Sequence, residues 1–100
     1  MPRLKNCEKI IKNKLTCAEP AAKTAFEELC EKFANDDLMY NTQRLDIIHT
    51  IYCGESEQQK IWKIAIDFNV SERTLYRYRY DYVKWFTLFY NKHDGSEAQI

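Results

Sequence analysis

Between Ser71 and Lys84, the residues Arg73, Tyr76, Arg77, Tyr80 and Lys84 fall at i, i+3, i+4, i+7 and i+11. On an α-helix this spacing puts all five side chains on one side. The chemistry they could do together is recognition of a polyanion. A guanidinium fork bonds guanine O6 and N7 with two hydrogens, or clamps a phosphate. Phenol hydroxyls and ammonium groups bond backbone phosphates and fix position without reading sequence. Residues at the N-terminal end of such a helix reach the base edges. That places Ser71, Arg73, Tyr76 and Arg77 nearest the bases and Tyr80 and Lys84 farther out. Glu72 could accept from cytosine N4, but a carboxylate there also favours the helix N-terminus, and the second role is preferred. Lys60 and Lys63, just upstream, are candidates for flanking phosphates. The partner implied is double-stranded DNA, read in the major groove by a helix over residues 71–84.

Such a face needs a helix to carry it and a second helix to hold it. Ser56-Glu57-Gln58-Gln59 has the S-x-x-Q form of a capping box, and Ser71 can cap the helix that follows it. Between them Ile61, Ile64, Ala65 and Phe68 form a helical core stripe. Asn69-Val70 supplies the break, because Asn tolerates the left-handed conformation that a tight inter-helix turn needs. At about 100° per residue, Leu75, Tyr78, Tyr82, Phe86 and Phe89 cluster opposite the basic face, with Trp85 at the edge. The pattern predicts a helix-turn-helix whose second helix continues to Tyr90. Trp85, Leu88, Phe89 and Tyr90 make its far end apolar around most of the circumference, more than one face can bury. They are the candidate interface for a homodimer or another protein.

The first half of the chain reads as support. Leu4, Cys7, Ile10, Ile11 and Leu15 lie among lysines in an amphipathic helix with a basic outer face. Thr16 to Pro20 breaks it, and Pro20 suits a helix first turn. Ala22, Ala25, Phe26, Leu29, Cys30, Phe33 and Ala34 then form the cleanest stripe in the sequence. Glu27, Glu28 and Glu31 sit opposite it and read as a solvated face. Asn35-Asp36-Asp37 is expected to stop that helix. The next is expected from about Leu38 or Thr42 to Cys53, buried through Leu45, Ile48, Ile51 and Tyr52, with Gly54 after its end.

Composition fits this layout. In 100 residues, 45% are hydrophobic while Gly and Pro number two each, so β-turn punctuation is scarce and an all-α chain is favoured. The formal net charge is zero, yet it is polarised. Residues 1–15 hold five basic residues against one acid, a balance of +4; residues 16–56 hold three against eight, −5; residues 57–100 hold seven against six, +1. Four cysteines at 7, 17, 30 and 53 lack zinc-ligand spacing. No apolar leader or membrane-length segment is seen, and free thiols in a reducing cytoplasm are the plain reading. Neither a Gly-rich phosphate loop nor a nucleophile–base constellation is present. His49 with Cys53 is the one i, i+4 Cys/His pair and is expected to be structural. No enzyme, metal or cofactor is expected.

The expected architecture is thus all-α. It comprises a single domain of about five helices over residues 1–92, in which 1–55 support and 56–90 form the helix-turn-helix and extended last helix, with 93–100 as a flexible tail.

Ile61-x-x-Ile64-Ala65-x-x-x-Asn69-Val70-Ser71-x-x-Thr74-Leu75-x-Arg77-Tyr78 resembles the helix-turn-helix of sigma-factor region 4 and its phage relatives. In that pattern an I-A pair lies in the first helix, a G-[VI]-S turn follows, and T-[VL]-x-R opens the recognition helix. Ala65 matches the small residue at the helix crossing, Val70-Ser71 the turn and Leu75 the buried position, while Asn69 stands where glycine is usual. The chain looks most like the small ArpU- or RinA-like phage transcriptional regulators, though residues 1–55 match only in being helical. The resemblance implies DNA binding and phage or prophage transcription regulation, with RNA polymerase as a further possible partner. A phage packaging protein of the terminase small-subunit kind would share the motif.

Overall fold

Long helix-forming runs and few breakers leave this chain one architecture, helix packed on helix. The computed structural model describes residues 4–52 and 60–94, and among them every regular element is an α-helix. In order these are α1 (Leu4–Thr16), α2 (Pro20–Tyr40), α3 (Arg44–Tyr52), α4 (Ile61–Phe68) and α5 (Glu72–Asp94). The most extensive contact is between α2 and α5. They run antiparallel: Glu28 of α2 meets Lys92 and His93 of α5, while Asp36 and Asp81 share Arg44. The other three helices pack around this pair, giving a radius of gyration of 13.4 Å.

The core is drawn from every helix. Ile11 of α1, Ala22, Ala25, Leu29 and Phe33 of α2, and Ile47 and Ile48 of α3 are buried together with Ile64 and Ala65 of α4. From α5 come Leu75, Tyr78, Tyr82, Phe86 and Tyr90. Full burial of a side chain such as Phe33 or Phe86 is worth about 1.5–3 kcal/mol over leaving it in water. Tyr52 stacks on Tyr82 with ring centroids 4.1 Å apart, and Phe86 on Tyr90 at 6.0 Å.

The helix ends explain how so few glycines suffice. Ala18, Asn41 and Asn69 all take positive φ, near 55°. At Asn69, N–H bonds run from Asn69 to the carbonyl of Ile66 and from Val70 to that of Ala65; Ala18 and Glu19 repeat the pair on Leu15 and Lys14. This is the Schellman closure, which satisfies the orphan carbonyls of the last turn.

Several boundaries differ from the sequence expectation. Asn35-Asp36-Asp37 does not stop α2, which continues to Tyr40 and ends at Asn41 in the left-handed conformation. The two aspartates do not compete with their own backbone, because other groups occupy them. Asp36 accepts from Lys32 at 3.1 Å and from Arg44. Asp37 accepts the Arg44 and Leu45 backbone N–H groups at 3.0 and 2.9 Å, and so caps α3 from the neighbouring helix. Burial alone would raise the Asp36 carboxyl, but Lys32 and Arg44 overcome it and hold the group below the ordinary aspartate range. Ile47 joins Ile48 in the core, whereas Leu45, Ile51 and Tyr52 are half-buried. Ile10 is exposed.

α4 begins later than expected. Lys60 is its N-cap residue, with extended backbone at φ −70° and ψ 146°, so no helix runs through it from Ser56. Ser56 itself, Gly54 and Cys53 lie outside the described residues. His49 Nε2 lies 3.6 Å from Cys30 Sγ, and its ring stacks on Phe26. α5 runs past Tyr90 to Asp94, so His93 and Asp94 are helix and not tail. Lys92 and His93 reach Glu28 at 3.4 and 2.9 Å, which also takes Glu28 out of the purely solvated role expected of it.

One polar cluster lies among the apolar layers. Arg79 of α5 is 8% exposed and bonds Glu8 of α1 through Nε at 2.9 Å and through Nη2 at 2.6 Å. The Tyr52 hydroxyl donates to the same carboxylate. Those hydrogen bonds with Glu8 hold Arg79 charged beyond its already high ordinary value, and burial pushes the Tyr52 phenol far above its own. Removing one member of a buried pair strands the other charge. Arg79→Met should therefore cost about 3 kcal/mol in urea unfolding at neutral pH, and Glu8→Leu added to it should recover much of that loss.

Candidate nucleic-acid interface

The turn between α4 and α5 spans Asn69 to Ser71, three residues. Asn69 makes the left-handed step at φ 56° and ψ 46°, and Val70 packs on the core, the hydrophobic contact that often accompanies this closure. Ser71 then does what its position predicts: its Oγ accepts the Thr74 N–H at 3.1 Å and lies 2.9 Å from Thr74 Oγ1. Leu75, fully buried, anchors the first turn of α5.

With the helix fixed in that way, Ser71, Arg73, Tyr76, Arg77, Tyr80 and Lys84 are all exposed. The opposite flank, Leu75, Tyr78, Arg79, Tyr82 and Phe86, is buried. The sequence-derived face is therefore brought together as one strip along α5. Aromatic rings support its cations: the Arg77 guanidinium lies 5.6 Å from the Tyr78 ring centre and the Lys84 ammonium 5.5 Å from that of Trp85. Such contacts restrict the long side chains without taking them out of water. Nearby Asp81 is engaged by Arg44 at 3.1 Å, which offsets its charge beside the basic strip.

Lys63 is exposed on α4, and Lys60 is exposed at that helix's N-cap. Lys60 lines a groove on the α1 side of the molecule with Lys5, Lys9 and Lys12. The candidate interface residues divide. Leu88 is 50% exposed, while Trp85 and Phe89 are half-buried against the core, with Lys32 Nζ 4.1 Å above the Trp85 ring. Tyr90 is no surface residue. It is 3% exposed, donates to Glu19 at 2.9 Å and accepts from Lys14 at 3.2 Å. Lying 15 residues after Leu75, it returns to the buried side of the helix, a phase the apolar count around the circumference hid.

Two features escaped the sequence reading. Arg79 was one of several basic residues in a row, yet four residues after Leu75 it falls on the buried side; Glu8, the lone acid among the basic residues of 1–15, was its signal. Trp62 and Ile66, one turn apart on α4, are 53% and 68% exposed. They flank an open notch of about 640 Å³ that Asn69, Ser71 and Glu72 complete. Their positions outside the Ile61, Ile64, Ala65, Phe68 stripe were the available clue.

No protein-family model, no curated protein and no solved structure matches this chain. Ser71→Ala should lower stability by about 1 kcal/mol and Ser71→Gly by a few tenths, measured by thermal unfolding; the loss reports the cap that starts the strip.

Proposed function

We propose that the protein is a double-stranded-DNA-binding regulator of transcription that lays the exposed strip of α5 in the major groove. One observation carries the reading. Five polar or basic side chains from Arg73 to Lys84 share a solvent-facing strip on α5, whose other side is buried, directly after a three-residue turn from α4 that ends at Ser71. Arg73, Tyr76 and Arg77 are the base-edge readers, with Ser71 near them, and Tyr80 and Lys84 are backbone contacts. Lys63 can reach a flanking phosphate, whereas Lys60 belongs to the α1 side. The protein works as a binder and not as an enzyme, and its setting is the cytoplasm. The likeness of its turn to sigma region 4 points to phage or prophage origin, with RNA polymerase a candidate second partner. Among the described residues, no helix is long and apolar enough to cross a membrane.

The reading is tested by fluorescence anisotropy on a pool of genomic fragments at low salt. Binding at micromolar protein is expected, and its absence would sink the proposal. On a selected site, Arg77→Ala should cost about 1–3 kcal/mol and relax specificity if Arg77 holds a base. If it holds phosphate, the loss should be uniform across sequences and the salt slope should fall by about one.

A second reading, a helical module that binds protein, is favoured by the exposed Leu38, Met39, Tyr40, Trp62, Ile66 and Leu88. A homodimer joins the two readings, because paired readers fit palindromic half-sites. Light scattering should then report a dimer for the wild type and a monomer for Leu88→Glu; a wild-type monomer removes the homodimer. Leu88 is the informative position because Trp85 and Phe89 also pack on the core.

A further inference from the structure

The groove that holds Lys60 is unlike the α5 strip in chemistry. It has a volume of about 860 Å³ and takes side chains from all five helices, within the ~300–1,000 Å³ range of small-molecule sites. Its floor is apolar, with Phe26 of α2, Ile61 of α4 and Tyr82 of α5 among the lining residues. Its rim is cationic: Lys5 and Lys9 of α1 and Lys60 at the N-cap of α4 are exposed and line it together. Among the described residues that line it, Glu8 is the one acid. That carboxylate is already matched by the bidentate bond from Arg79. The rim lysines therefore present positive charge that the groove's own acid does not cancel.

An apolar floor under a cationic rim selects an occupant that is apolar in body and anionic at one end. Walls from five helices suit a compact molecule better than a helix running through. We propose that this groove binds a small organic acid, its aliphatic or aromatic body against Phe26, Ile61 and Tyr82 and its carboxylate at the Lys5, Lys9 and Lys60 rim. The burial of the body supplies most of the affinity. The lysines supply the discrimination against neutral molecules, as charge-assisted hydrogen bonds to a carboxylate do.

The proposal does not depend on DNA binding and is tested without DNA. Decanoate, below its micelle concentration, and naphthalene-2-carboxylate are titrated into the full chain by calorimetry, with naphthalene-2-carboxamide as the neutral counterpart. Saturable one-to-one binding of a carboxylate is expected, with a matching rise in melting temperature, since a ligand of the native state stabilises it by mass action. The carboxamide should bind at least tenfold more weakly. So should the carboxylate to Lys9→Gln/Lys60→Gln, two exposed positions whose change leaves the core intact, as circular dichroism would check. No saturable binding of either carboxylate at millimolar concentration overturns the proposal. Equal affinity for acid and amide, or an unchanged affinity in the folded double variant, also overturns it. So does binding of an acidic amphipathic peptide where neither carboxylate binds.

Discussion

Arg79 can satisfy its charge in only one rotational setting of α5. Its guanidinium needs both oxygens of Glu8, and Glu8 is fixed on α1 with Tyr52 of α3 on the same carboxylate. Apolar packing tolerates small adjustments of side-chain shape, because a core can repack around them. A buried bidentate ion pair does not, since any rotation that separates the partners leaves two desolvated charges. The setting that meets this condition also turns Arg73, Tyr76, Arg77 and Tyr80 to solvent. The outward composition of α5 thus follows from this inward bond together with the burial of Leu75, Tyr78, Tyr82 and Phe86.

A second arginine holds the other flank. Arg44 of α3 bonds Asp36 of α2 and Asp81 of α5, with its guanidinium 3.9 Å from the centre of the Phe33 ring. Together with Asp37, which caps α3 from α2, it makes the α2–α3 corner a polar joint and not merely a loop. This use of charge accounts for a chain that is neutral overall yet carries a basic strip. The acids of the middle segment include Asp36, Asp37 and Glu28, all engaged with groups of other helices, so part of the polarity visible in the composition serves as internal fastening. Lys14 and Glu19 do the same for Tyr90 at the far end of α5.

The number of helices and the α4–α5 turn were legible in the sequence because they rest on local signals. Periodic apolar residues, an N-capping serine at 71 and an asparagine suited to positive φ at 69 act within a few residues of themselves. The basic strip was legible for the same reason, since a helix converts spacing directly into direction. What stayed hidden depends on partners distant in sequence. Asp36-Asp37 looked like a stop because nothing local says that Arg44 and the α3 N-terminus will occupy them. Arg79 looked like one more surface cation because its partner lies 71 residues away. Tyr90 looked like surplus apolar surface until Lys14 and Glu19 gave its hydroxyl two partners. The meeting of Lys60 with the α1 lysines was likewise out of reach, because it exists only once the fold sets them around one groove.

α5 is an unbroken helix from Glu72 to Asp94, a rod about 34 Å long at 1.5 Å per residue. Its first turns carry the exposed strip, and its last residues, Lys92 and His93, are tied to Glu28. Among its residues there is neither proline nor glycine, the usual sites at which a helix kinks. Torque or displacement applied at either end therefore arrives at the other with no joint to absorb it. Mechanically the molecule is a shaft held by the four other helices, fixed against rotation in its first half by Arg79.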